Sequence, residues 1–421
     1  MTGSGLWPIV ERHERWWRWA AIGLACSAVA AQWIRLAVNP AGDLQNHRLF
    51  AMRLLHGLDL YQPGGLNTPY PPFWAVAHIP ATWFPASMMP AAMFPLGVAA
   101  IVALMLIVGR MAHDVWPVDS GLRFWVAAGA LGLTSRFVLR DLVDAGQNTI
   151  VVAVTWAGLW AWTRHQPKLG GLLVGLAAAL KLTPLSFLAY FALKRDWRMA
   201  GYTAAAALVL SLTPMAWTGP SGFARDVGTW TRGVTMELKP ADPSRGILGP
   251  DDPRNQALRP ALARVLASTG TPFSPSGTIW LIRALMIAFA SAVAWSLRHP
   301  LGSPRNPRVV KECAAVALLA LLVSPIMWLS HAVAILPACY VLLARHAASG
   351  ESSAMARLSI GTLIVTSLLL NHAFLGDALS ELELSASLFT WSFVLLLIAT
   401  LSVSGRRAAR AGQAALVIET L

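Results

Sequence analysis

The sequence predicts an all-α polytopic membrane protein with about twelve membrane segments. Three observations carry that expectation. Hydrophobic residues fill 56% of the 421 positions and charged residues only 13%, and the mean hydropathy is +0.55, a balance that a soluble core does not need. Apolar runs of about 20 residues, the length that spans a bilayer, recur along the whole chain. The 19 Trp and 27 Pro residues suit interfacial anchors and broken helices.

The runs lie at about 18–38, 87–109, 121–139, 148–163, 169–193, 199–217, 277–297, 312–327, 331–345, 357–371 and 386–404. Near the first, Arg12, Arg15 and Arg18 precede Ala28-Val29-Ala30, a cleavage-like triplet. The run continues through Trp33 to Val38, which favours an uncleaved first span. The run 169–193 carries Lys181-Leu182-Thr183-Pro184 at its middle, with Arg164 and Lys168 before it and Lys194, Arg195 and Arg198 after it. A lysine at the bilayer centre is costly, and basic flanks prefer the cytoplasm. A short helical hairpin turning near 182–184 satisfies both constraints and delivers Lys181 to the outer side. Counting that hairpin as two gives twelve segments with both termini cytoplasmic.

The net charge of +13 then sits mainly on inner loops, and no nucleic-acid partner is expected. The seven Lys and Arg residues of the long outer connection at 218–276 are the exception; long loops obey the charge rule less strictly. The three cysteines all fall in apolar runs, which gives neither a disulfide framework nor a metal-ligand spacing. The chain reads as one membrane domain over 1–421, with a first extracytoplasmic loop at 39–86 and the long loop at 218–276. No internal repeat or separate soluble unit is visible.

The first outer loop is the richest stretch. Asp43 follows a membrane exit, and Leu49, Met52 and Leu55 recur at helical spacing. Tyr70-Pro71-Pro72 must leave the helix, because proline removes a donor and restricts the residue before it. Trp74, His78, Trp83 and Phe84 suit a second segment lying in the interface with an aromatic belt.

Under the twelve-segment topology the unusual polar groups all fall on the outer face. They are Asp43; Arg136, Arg140, Asp141 and Asp144, followed by Gly146-Gln147-Asn148; Lys181; Asn255-Gln256; and Ser324-Pro325 through Trp328 to His331. Polar groups gathered on one side of a bundle point to a shared aqueous site. Each also has an ordinary reading. Arg140 and Asp141 serve equally as helix-end charges, Gln147 and Asn148 as a helix cap, and Lys181 as a snorkelling lysine. Ser324-Pro325 fits a tight hairpin, and His331 a satisfied helix end. Motifs of soluble nucleotide binding and of common hydrolases are absent from the sequence.

Taken in order, these pieces resemble glycosyltransferase family 87, membrane mannosyltransferases of the GT-C superfamily. The matching pieces are Asp43 with Gly57-Leu58-Asp59-Leu60-Tyr61, Tyr70-Pro71-Pro72, Gly146-Gln147-Asn148, Gly175 through Lys181-Leu182-Thr183-Pro184, Asn255-Gln256-Ala257-Leu258, and Ser324-Pro325-Ile326-Met327-Trp328 to His331. The chain departs from the pattern at Ser330, where a second His is frequent, and at Ala257, where Ser is frequent.

The resemblance implies a GT-C fold and a polyprenyl-phosphate sugar donor, with mannose as the hexose and transfer with inversion on the extracytoplasmic face of the cell membrane. It makes Asp43 the catalytic base, with His331 as the other candidate. Lys181 and Arg140 become the donor-phosphate contacts. Tyr70, Gln147, Asn148, Asn255, Gln256 and Trp328 become sugar or acceptor contacts. The acceptor is a glycolipid or glycan. No metal or soluble cofactor is expected, because cations can neutralise a departing phosphate. A lipid transporter or flippase, or an arabinose or glucose transferase, is the alternative reading.

Overall fold

In the computed structural model the described residues are 14–40, 43–61, 70–232, 252–270, 275–350, 352–370 and 372–403. They form helices joined by turns, with no strand among them. In chain order the α-helices are α1 (Glu14–Val38), α2 (Leu44–Leu55), α3 (Phe73–Ala77), α4 (Met89–His113), α5 (Ser120–Leu142), α6 (Gln147–Thr163), α7 (Pro167–Leu180), α8 (Ser186–Leu193) and α9 (Trp197–Leu212). They continue as α10 (Met215–Trp230), α11 (Leu258–Ser268), α12 (Pro275–Ser296), α13 (Arg308–Val323), α14 (Leu336–Ser349), α15 (Ala354–Leu363), α16 (His372–Ser385) and α17 (Leu388–Ser402).

Each of the twelve stretches expected from the sequence falls on a helix. Among the described residues five helices are long and apolar enough to cross a membrane, or up to seven if each bent pair counts as one span. The chain is therefore a multi-pass membrane protein. The run at 199–217 is not one straight segment: α9 ends at Leu212, and α10 leaves it at 93°. Much of what reads as loop after 218 is helix. α10 extends to Trp230 and α11 lies between 258 and 268. Residues 233–251 and 271–274 of that connection, the Pro63-Gly64-Gly65 turn of the first loop, and the basic tail from Arg406 lie outside the described residues.

The hairpin at 169–193 is present. Pro167 opens α7 at a position where a missing N–H costs nothing. Pro184 cannot donate to the carbonyl of Leu180, so the helix stops there and Lys181 turns extended (φ −152°, ψ 133°). A 3₁₀ turn over Thr183–Leu185 then starts α8.

Small residues let the neighbouring helices close on one another, as membrane helices do when packing drives association. A Cβ on Gly158 would lie 2.8 Å from the carbonyl of Gly170, and one on Gly175 2.7 Å from the carbonyl of Thr203. α6, α7 and α9 thus meet backbone to backbone. The turn between α5 and α6 is equally tight. Ala145 (φ 55°) and Gly146 (φ 71°) are both left-handed, and a Cβ on Gly146 would fall 2.5 Å from the Cα of Gly97 in α4.

Gly146→Ala therefore combines an unfavourable φ with a backbone clash, and should destabilise the protein by about 1–3 kcal/mol. The melting temperature in detergent micelles reads this. Gly132→Ala in α5, where nothing lies within 4 Å of the added Cβ, should not lower it.

Candidate active site

The turn that follows α5 is where the polar groups collect. Asp141 ends α5 with its side chain wholly buried. Its Oδ1 accepts from the Asn148 backbone N–H (3.2 Å) and Nδ2 (2.7 Å). Its Oδ2 accepts from the Thr149 backbone N–H (2.8 Å) and hydroxyl (2.7 Å). The first turn of α6 supplies those donors, and its positive dipole end favours the carboxylate. The carbonyl oxygen of Asn148 in turn accepts from the ammonium of Lys181. That ammonium also lies over the Tyr70 ring, 5.3 Å from its centroid, a favourable cation–π arrangement.

Lys181, Asn148, Ser324 and His331 line a cleft between the helices, with Thr155 and Thr183 as further polar lining. The rest of its lining is apolar and includes Val151, Val152 and Trp156 of α6, Phe187 of α8, and Ala317, Ala320 and Leu321 of α13. The hairpin break thus places Lys181 in the lining of a groove whose sides are the flanking helices. His331 sits in the 3₁₀ turn before α14, and its Nδ1 accepts the backbone N–H of Trp328 (3.2 Å). In the neutral ring the proton then resides on Nε2.

Asp43 precedes α2 and is half-buried, and its backbone N–H donates to Asp144 Oδ1 (2.9 Å). Burial pushes the Asp43 carboxyl above the usual aspartate range, while the charges of Arg140 and Lys181 pull it down. Burial likewise pushes Asp144 up to about 6. Arg140 is exposed and acts on both carboxylates through space. Asp43, like Arg140, Tyr70 and Gln147, is not part of the cleft lining; its tie to Lys181 is the ammonium's charge acting through space.

Behind it lies a cluster in which His47 is the member the sequence reading missed. His47, one turn beyond Asp43, is buried, and its Nε2 meets Gln147 Oε1 at 2.7 Å. The Tyr70 hydroxyl donates to the same oxygen at 3.4 Å. Burial pushes Tyr70 well above the usual phenol range, so it stays protonated. Tyr70 stacks on Trp74 at 4.2 Å, and Trp74 lies against His78. Burial, and then repulsion from His78, hold His47 neutral. The i, i+4 spacing of Asp43 and His47 was the available signal, since it puts both on one helix face.

The helical spacing after Asp43 falls on α2, which packs Leu44, His47, Phe50, Ala51 and Leu54 inward and leaves Leu49 and Leu55 exposed. Other expectations need correcting. Trp74 and His78 are buried and not part of an interfacial belt, whereas Trp83 and Phe84 are exposed. Arg136 is spent on Glu383 (3.0 Å) and on carbonyls of residues 366 and 370.

Asn255 and Gln256 are not brought to the cleft lining. Asn255 Oδ1 accepts from the Met327 N–H (3.0 Å), and its Nδ2 donates to the Pro325 carbonyl (3.2 Å). Gln256 donates to the carbonyls of Pro253 (2.6 Å) and Leu384 (2.7 Å). The Asn255 amide and the Gln256 backbone N–H, which donates to the Met327 carbonyl (2.8 Å), brace the turn before His331. Trp328 does not line the cleft either; its indole Nε1 is buried without a hydrogen-bond partner among the described residues. Among those residues no three His, Cys, Asp or Glu side chains come together to hold a metal ion.

The cleft is thus mostly apolar and carries one lysine among its polar lining residues. The sequence matches glycosyltransferase family 87 over residues 68–325. The chain belongs to that family and is a glycosyltransferase.

Two curated relatives carry the description polyprenol-phosphate-mannose-dependent alpha-(1-2)-phosphatidylinositol mannoside mannosyltransferase. The Mycolicibacterium smegmatis protein is 28% identical over 96% of this chain and 92% of its own length. The Mycobacterium tuberculosis protein is 28% identical over 77% and 75%. Among solved structures, ArnT from Cupriavidus metallidurans in the apo state aligns over 91% of this chain and 77% of its own, with 14% identity and a TM-score of 0.43.

Asn255→Ala removes one acceptor and one donor from the buried 325–327 turn and should cost about 1–3 kcal/mol. A drop in melting temperature with an unchanged acceptor KM is the expected outcome. A stable variant with a raised acceptor KM would return Asn255 to the binding role.

Proposed function

We propose that this enzyme transfers a hexose, mannose in our reading, from a polyprenyl phosphate to a lipid or glycan acceptor. The reaction takes place on the extracytoplasmic face of the cell membrane. The observation that carries the proposal is the cleft: a mostly apolar lining that includes Lys181 and His331, with Asp43 coupled to the lysine's charge through space. A polyprenyl phosphate has the complementary form, a long apolar chain ending in an anion. The relatives' names support mannose as the sugar and this lipid class as the carrier. Phosphatidylinositol mannosides, on which those relatives act, are the first acceptors to test.

The chemistry needs three contributions. The bond between the sugar's anomeric carbon and the phosphate oxygen breaks, and the leaving polyprenyl phosphate is a weak base that needs cations more than an acid. The Lys181 ammonium and the His331 Nε2–H are placed to meet it, with Arg140 adding charge from the surface. The acceptor hydroxyl oxygen forms the new bond from the opposite face. Its proton passes to the Asp43 carboxylate, so one displacement inverts the anomeric centre. Tyr70, Gln147 and Trp328 are left to orient the sugar or acceptor. Asn148 takes a different part, as the acceptor that holds Lys181. Metal independence belongs to the same proposal, because the departing charge is met by fixed cations; activity retained in EDTA would support it.

The twelve-crossing topology, with both termini cytoplasmic and the loop at 39–86 facing outward, completes the reading. The basic clusters Arg164 and Lys168, and Lys194, Arg195 and Arg198, support it by lying on one side of the hairpin.

Asp43→Asn should lower transfer from labelled polyprenyl-phosphate mannose by about 10²–10⁴-fold, the usual worth of a positioned base, with little change in donor KM. Near-normal transfer by this variant would remove Asp43 from the role. The raised Asp43 pKa sets the sign of the pH response. The active carboxylate is lost as pH falls through it, so the acid limb of the wild-type profile should lie above the ordinary aspartate range.

A further inference from the structure

We propose that Asp141 is a positioning residue that acts on the donor phosphate through Asn148 and Lys181. This rests on the reading of Lys181 as the phosphate contact. Asp141 touches no face of the cleft, and it is fully buried. Its importance lies in which end of the Asn148 amide it takes.

An asparagine side chain has an oxygen that only accepts and an NH₂ that only donates. An ammonium only donates, so Lys181 can be held by the Asn148 oxygen and by no other atom of that side chain. Asp141 enforces this orientation, because its Oδ1 takes the Asn148 Nδ2 at 2.7 Å. With the NH₂ committed to Asp141, the oxygen must face Lys181. The carboxylate's charge is passed along the polarised amide to the ammonium, and charge-assisted bonds of this kind are the strong ones. Lys181 is thereby kept charged and held in the cleft lining, although most of that lining is apolar.

A purely structural role for Asp141 would rest on its other two bonds. Thr149 donates its N–H and its hydroxyl to Oδ2, which closes the first turn of α6. The two roles separate by mutation. Asp141→Asn is nearly isosteric but introduces an NH₂ among four donors. The Asn148 side chain can answer by turning over, which aims its NH₂ at the Lys181 ammonium; the Thr149 hydroxyl can answer by rotating, and the Thr149→Val background closes that second route. Thr149→Val removes one bond to Asp141 and leaves the path through Asn148 to Lys181 intact.

The test uses the full-length protein in detergent or proteoliposomes, with polyprenyl-phosphate mannose as donor and a phosphatidylinositol mannoside as acceptor. Asp141→Asn should raise the donor KM by about tenfold or more, the factor that one charge-assisted hydrogen bond represents, with the acceptor KM unchanged. Thr149→Val should lower the melting temperature and leave the donor KM alone. In the Asp141→Asn, Lys181→Ala double variant the donor KM should equal that of Lys181→Ala, because the first change has nothing left to act through. Multiplying effects in the double variant, or equal donor KM changes in Asp141→Asn and Thr149→Val, would overturn the proposal.

Acetylation of Lys181 by acetic anhydride, read by mass spectrometry without donor, gives an outcome independent of the transfer assay. It should run faster in Asp141→Asn, and an unchanged rate would overturn the positioning role. If Asp141→Asn speeds acetylation while Lys181→Ala leaves the donor KM unaltered, the path to Lys181 stands and the phosphate assignment falls.

Discussion

Asp141 is a carboxylate with no exposed surface, and its four donors from Asn148 and Thr149 are what let it stay charged there. An unpaired buried charge costs several kcal/mol, so those four donors must arrive together and stay. They come from two consecutive residues of α6, which requires the chain to reverse within a few residues after α5. Ala145 and Gly146 make that reversal in the left-handed region, and the turn closes against Gly97 with no room for a side chain. The position of Lys181 follows from this turn, since its acceptor is the amide that Asp141 orients. Asp144 belongs to the same turn and fixes the backbone of Asp43. Two roles that look independent, base and phosphate contact, are therefore hung from one reversal of the chain.

The second constraint is the solvent. Short helices in a bilayer leave backbone groups without partners unless protein surrounds them. The break at Lys181 is tolerated because α7 is pressed against α6 and α9 through glycines, and because the Lys181 N–H still bonds to the Ala177 carbonyl. Further along the hairpin, the Lys194 ammonium is buried against Glu312 at 2.7 Å and bonds to the carbonyls of Leu297 and His299. Tyr190 donates to the same Glu312 carboxylate. That ion pair ties α8 to α13, the two helices that face each other across the cleft, and so holds its width from below.

What was legible in the sequence tracks how the bilayer treats each residue type. Lys181 and Pro184 inside an apolar run could only be reconciled by a break, and the break is there. The dipeptide after Gly146 was legible as a polar pair but not as a pair with separate jobs, because an amide's orientation depends on a neighbour seven residues away. The spacing of Leu49, Met52 and Leu55 announced α2 but not which of its faces packs inward. In water an apolar stripe must face the core, but in lipid it can face outward, so Leu49 and Leu55 compete with Leu44, Phe50 and Leu54 on equal terms. Trp74 fails likewise: tryptophan is at home in the interface and in a packed core, and only the Tyr70 ring stacked upon it decides between them. Asn255 and Gln256 were legible as buried amides near the site, yet their partners are backbone carbonyls and N–H groups that no side-chain pattern announces.

The choice between the two candidate bases follows from hydrogen bonding. A histidine acts as a base through a ring nitrogen with a free lone pair. The Nδ1 lone pair of His331 is already engaged by the Trp328 N–H, which leaves the proton of the neutral ring on Nε2. A base role would require releasing that backbone group or exchanging tautomers against it. As a donor toward an anionic oxygen the same ring keeps its tautomer and gives up only its contact with the Ile326 carbonyl. Asp43 has the opposite endowment: only its backbone N–H is tied to Asp144, and its carboxylate is raised in pKa by partial burial yet restrained by Arg140 and Lys181. A carboxylate so placed takes up a proton more readily than an exposed one. In the proposed mechanism the division of labour follows from these commitments: proton uptake at Asp43, charge neutralisation at Lys181 and hydrogen-bond donation at His331.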